Sequence, residues 1–177
     1  GPAPADYALL ARLHGLELLD DFYTELDEAE QIARAGDGYR EPATLHAVRA
    51  FARIGDPSDA RARFSAMDPA HVPTLLRRLS DAYRGLGKYD DAAIVLGDIL
   101  ATSSDNLELC AVHERLFQLA GELDDRAASL NAARGLVAAV HRANDPRCSA
   151  IADERLRAPA FACPSRPVGQ GAARPPG

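Results

Sequence analysis

Apolar residues recur at helical spacing through most of the chain. Leu76, Leu79, Ala82, Tyr83 and Leu86 form one stripe, which predicts an amphipathic helix. That helix should end at Gly87, since glycine enters the left-handed conformation of a helix C-terminus at little cost. Asp90 and Asp91 follow, suited to the first turn of a second helix, where negative charge meets the positive end of the dipole. Ala92 is small enough to let the two helices approach closely. Tyr83 and Tyr89 are then expected to face each other and fill the centre of the hairpin.

The same pattern returns elsewhere. "LHAVRAFARIGDPSDARARFSAMD", "LSDAYRGLGKYDDAAIVLGDIL" and "CAVHERLFQLAGELDDRAASLNAAR" superimpose so that Gly55, Gly87 and Gly121 fall 32 and 34 residues apart. An aromatic residue (Phe51, Tyr83, Phe117) stands four positions before each glycine, and Pro57, Tyr89 or Leu123 two positions after it. Ala60 and Ala92 match, whereas Arg126 occupies the third small-residue place unless the alignment slips by one residue to Ala127. Upstream, "ELDEAEQIARA" copies "KYDDAAIVLGD", aligning Leu26 with Tyr89 and Ala29 with Ala92, behind a stripe of Tyr7, Leu10, Leu13, Leu16, Leu19 and Tyr23. Downstream, Asp145-Pro146 reads as an N-cap and first helical residue, opening a short helix whose apolar face is Cys148, Ile151, Ala152 and Leu156.

A period near 34 residues in helix–turn–helix units resembles the tetratricopeptide repeat. The resemblance is clearest over residues 73–106, fair over 41–72, and degenerate over 5–40 and 107–140. It implies an all-α fold of antiparallel hairpins stacked in a right-handed superhelix with a C-terminal capping helix. The expected division is a disordered start at 1–4 (Gly1-Pro2 read as a protease scar), a repeat domain at 5–157, and a flexible tail at 158–177. That tail is rich in Pro, Gly and Ala and shows no periodicity.

Charge narrows the function. The net charge is −6, and residues 1–40, with nine acids against three Arg, hold all of it. The balanced remainder argues against a broad nucleic-acid surface. No apolar run is long enough to span a membrane. A cytoplasmic compartment is the first expectation, and a periplasmic one, after removal of a signal segment, the alternative. Cys110 reads as a buried thiol, and Cys148 and Cys163 could pair in an oxidising compartment, which the sequence leaves open.

Catalytic and metal motifs are not legible. His14, His46, His71, His113 and His141 form no i, i+4 pair and no His/Cys set at ligand spacing; His141 with Cys148 and Cys163 is too loose a set. "RGLGK" follows a helix rather than a strand and so fails as a phosphate loop. Asp20-Asp21, Asp90-Asp91 and Asp124-Asp125 could mimic paired carboxylates, but helix starts explain the last two. No enzyme, cofactor or metal is expected.

The resemblance places binding in a concave groove lined by the first helix of each hairpin. The family's groove places fall on Leu45, Arg49, Ala52 and Arg53, then Thr74, Arg77, Asp81 and Arg84, then Glu108, Ala111, Arg115 and Gln118, with Arg78 alongside. Arg49, Arg53, Arg77, Arg78, Asp81, Arg84, Arg115 and Gln118 are the candidate partner-binding residues. Leu45, Arg49 and Arg78 do not reproduce the Lys and Asn of members that clamp chaperone tails. The expectation is a non-catalytic scaffold whose arginines, held apart by mutual repulsion, bind an acidic peptide or partner protein, including a second copy. A structural module stacking on neighbours in a large assembly is the alternative, and an RNA-binding helical repeat the second.

Overall fold

The computed structural model describes residues 4–35 and 40–156. Among these, every regular element is helical: α1 (Pro4–Leu18), α2 (Phe22–Ala35), α3 (Arg40–Ile54), α4 (Ala60–Met67), α5 (Val72–Gly85), α6 (Tyr89–Thr102), α7 (Asn106–Glu122), α8 (Arg126–Ala143) and α9 (Pro146–Leu156). Short 3₁₀ turns at Pro57–Asp59 and Pro69–His71 flank α4. Helix α1 starts at Pro4, inside the segment expected to be disordered. Residues 1–3 and the expected tail, with Cys163, lie outside the described residues.

Helices α5 and α6 pack as one close pair and α7 and α8 as another, while α1, α3, α5 and α7 follow one another side by side. One continuous core runs from Leu13 through Leu26, Phe51, Phe64, Leu76, Leu79, Tyr83, Leu96 and Ile99 to Leu119. A second, smaller core joins α7, α8 and α9 around Leu136, Ala139 and Ala152. Helix α9 packs on both α7 and α8, and the Asp145 carboxylate accepts the Arg147 backbone N–H at 2.8 Å as its N-cap.

Three interhelix turns share one hydrogen-bond arrangement. At the end of α5, Leu86 N–H bonds the Ala82 carbonyl and Lys88 N–H the Tyr83 carbonyl, with Gly87 at φ 72° between them. The second of these bonds, reaching five residues back across a left-handed residue, closes many helix ends. The end of α7 repeats the arrangement with Leu123 to Leu119 and Asp125 to Ala120, and Asp124 at φ 52° is left-handed. The end of α1 repeats it with Leu19 to Gly15 and Asp21 to Leu16, around Asp20 at φ 56°.

These bonds correct the sequence alignment. Asp124, not Gly121, is the counterpart of Gly87, and Ala120, not Phe117, the counterpart of Tyr83. Helix α7 has 17 residues against 14 in α5, so its turn falls three residues later. Phe117 is accordingly only half-buried, while Leu86 and Leu123, expected in the stripe and the hairpin centre, are exposed at the turns. Asp124 ends α7 rather than opening α8; Asp125 is the cap, accepting the Ala128 N–H at 2.9 Å. Tyr83 is fully buried, but Tyr89 only partly so.

The second unit also departs from a tight hairpin. Helix α3 lies closest to α2 and α5, whereas the eight-residue α4 meets it through Phe51 and Phe64, ring centroids 5.5 Å apart. Gly55 keeps φ negative and serves another purpose: a Cβ there would sit 2.6 Å from the Phe51 ring. Arginines hold α4 from both sides, with Arg61 on Asp98 of α6 at 2.7 Å and Arg63 on Asp27 at 2.8 Å and Glu30 of α2.

A covalent link closes the C-terminal end. Cys110 of α7 and Cys148 of α9 form a disulfide, with Cα atoms 5.8 Å apart, a normal separation for such a bond. Cys110 is therefore no free thiol, and the partner of Cys148 is not Cys163. Periodicity alone hid this pair, because both residues read simply as apolar positions on two helix faces.

Candidate functional site: a groove between α3 and α5

Side-by-side α3 and α5 leave a groove of about 640 Å³ between them. Pro42 and Leu45 of α3 and Ala82 of α5, over the buried Val48, form its apolar floor, while α3 turns Ala43, Ala47 and Ala50 into the core. Glu41, Arg49, Arg78 and Asp81 form the rim. Among these charges Arg49 is the loosest. Its guanidinium is half-exposed, with Glu17 at 3.9 Å.

The other predicted arginines are engaged within the chain. Arg115 grips Asp81 with two parallel bonds of 3.0 Å. Arg84 reaches Glu122 at 2.6 Å and the Gln118 side chain at 2.8 Å. Gln118 in turn bonds Glu114. Arg78 pairs with Glu41 at 3.0 Å, and Arg77, largely buried, lies 2.9 Å from Glu108 without hydrogen-bond alignment. Arg53 lies over the Phe22 ring of α2, 4.9 Å from its centroid, away from the groove floor. Ala52, another expected groove place, is fully buried.

The expected row of mutually repelling arginines is thus a ladder in which each helix supplies the acid for its neighbour's Arg. Partners lie 31 to 38 positions apart in sequence, roughly one repeat, so the same spacing that stacks the helices pairs their charges. The shared Asp81 joins the α3–α5 groove to a second, polar recess lined by Arg84, Gly85, Tyr89 and Glu122.

Two features lay beyond sequence reasoning. Glu17 of α1, Glu25 of α2 and His46 of α3 converge, with one donor atom from each within 4.8 Å of the others. Glu25 is fully buried, and its Oε1 is 2.6 Å from His46 Nδ1 while its Oε2 has no hydrogen-bond partner. Burial raises its carboxyl pKa above the ordinary range. A faint signal was present: Glu25 and Glu30 sit on the same face of α2 as Leu26, Ala29 and Ala33.

The second feature is an apolar cavity of about 420 Å³ among α6, α7 and α8. Ala93, Leu116, Ala120, Ala128 and Ala132 line it, along with His113, whose buried Nδ1 has no partner. Burial, and secondarily Arg142, lowers the His113 pKa.

Comparison with known proteins finds no matching family model, no matching curated protein and no matching solved structure. No described helix is long and apolar enough to cross a membrane.

Proposed function

We propose that the chain is a tetratricopeptide-like array, its hairpins stacking in a right-handed superhelix, that works as a non-catalytic scaffold holding a partner protein segment. The observation that carries this reading is the α3–α5 groove, an open channel with an apolar floor and a charged rim on two successive helices. Because most arginines already have internal acids, the partner is recognised differently from the sequence expectation. An apolar side chain seats against Leu45, over the buried Val48, and one carboxylate meets Arg49. The Cys110–Cys148 bond supports an oxidising compartment over the cytoplasm.

Capture of partners from the native source, with proteins identified by mass spectrometry, tests the reading. Leu45→Glu combined with Arg49→Glu should abolish the capture while leaving the helical circular-dichroism signal unchanged. Identical capture by this variant overturns the proposal.

A second reading, a module stacking on neighbours, draws on exposed Leu18, Leu19 and Tyr23, which are 72%, 78% and 72% accessible in the first hairpin. Light scattering decides it: a dimer mass that Leu19→Ser and Tyr23→Ser return to monomer favours stacking.

A further inference from the structure

We propose that Glu17, Glu25 and His46 form a binding site for one divalent transition-metal ion of the Zn²⁺ class. Three helices deliver the donors: α1 brings Glu17, α2 Glu25 and α3 His46, with one donor atom from each within 4.8 Å of the other two. Independent of that convergence, Glu25 is completely buried with an orphaned Oε2. A buried acceptor without a partner is costly, and a fully buried acid on a packed face is rare unless it pairs or ligates. The single bond to His46 Nδ1 satisfies only the other oxygen. A metal ion would satisfy the orphan and relieve the repulsion that the Glu17 carboxylate exerts on Glu25.

Donor chemistry selects the metal. Two carboxylates with one imidazole suit Zn²⁺ and its neighbours, whereas Ca²⁺ and Mg²⁺ favour all-oxygen shells of six or more. Glu17 is about one-quarter exposed (26%), so the site opens to water on that side, which provides an entry path and a fourth ligand. Arg49 stands 3.9 Å from Glu17 and is half-exposed, free to swing into solvent when a cation arrives. His46 and Arg49 lie one turn apart on α3, so the ion would tie the first hairpin to the helix that forms one wall of the groove.

The test uses the oxidised full chain carrying Cys163→Ser, so that no free thiol competes. Titration with Co²⁺ should produce a saturable visible absorption at one ion per chain, displaced by Zn²⁺. Zn²⁺ should raise the melting temperature in a concentration-dependent way, because it binds only the folded state. Glu25→Gln keeps the side chain's shape and should lower Co²⁺ affinity at least about tenfold, as should Glu17→Gln. His71→Ala, which removes an exposed imidazole outside the cluster, should leave affinity unchanged. His46→Asn completes the set, and if it fails to fold, the two Gln variants carry the test. Absence of saturable binding, or binding that survives both Gln substitutions, overturns the proposal.

Discussion

Tyr83 does more than fill space. Its ring is fully buried, and its hydroxyl donates to the Gly55 carbonyl at 3.1 Å, just past the end of α3. Lys88, the only lysine, lies over the same ring and donates to the Ala52 and Arg53 carbonyls at 2.9 and 3.2 Å. A cation at a helix C-terminus satisfies orphaned carbonyls and complements the dipole. Tyr83→Phe should therefore cost about 1 kcal/mol, the net worth of one hydrogen bond. Tyr83→Ala should cost about 3–5 kcal/mol in urea melts, as the cavity term adds to lost burial. At His113, burial holds the folded pKa below its ordinary value of 6.5. Between the folded pKa and 6.5 the unfolded chain binds a proton that the native state does not, so stability falls as pH drops through this window. His113→Gln should flatten the wild-type fall in stability from pH 7 to pH 5; an unchanged slope would refute that origin.

At the scale of elements, the three extra residues of α7 explain the cavity beside it. The turn geometry puts Ala120 where α5 has Tyr83, so a methyl group stands where a ring fills the neighbouring unit. Ala120→Leu should be neutral or stabilising by about 1 kcal/mol, because it refills space. Ala92→Leu, at the packed centre of α5–α6, should cost about 1–3 kcal/mol from overpacking. Equal losses in denaturant melts would show that the two units are packed alike. The sequence made α5–α6 legible because stripe, left-handed Gly87 and acidic first turn agreed there. It misled at α7–α8, where an Asp takes the glycine's role and the aromatic at 117 sits one turn early. The shortness of α4 was also hidden, since Phe51 and Phe64 bridge a wider gap without altering the apolar pattern. In the groove, Arg49 and Arg78 were found by position, but their counter-charges were not. Pairing across about one repeat depends on rotamers that no single helix face reveals. The three donors of the proposed metal site are separated by 8 and 21 residues, beyond any local motif.

For the whole molecule, stability is uneven along its length. The main core is continuous from α1 to α7, whereas α8 and α9 rest on a smaller cluster with alanine at many contacts. There the Cys110–Cys148 bond spans 38 residues. Chain-entropy arguments give a loop of that length about 4 kcal/mol. Reduction should therefore lower the melting temperature and, in hydrogen exchange, expose α8 and α9 well before α5. Uniform loss of protection along the chain would show instead that the whole array unfolds as one unit.

The backward reach of Tyr83 and Lys88 also bears on how the protein is made. They grip carbonyls 28 to 36 positions earlier, so the end of α3 gains its donors only from a later stretch of chain. Because a polypeptide emerges from its N-terminus onward, the end of α3 on the ribosome waits for α5 and the turn after it. The last hairpin has no such successor among the described helices. Helix α9 instead packs on α7 and α8, and a covalent latch holds it to α7.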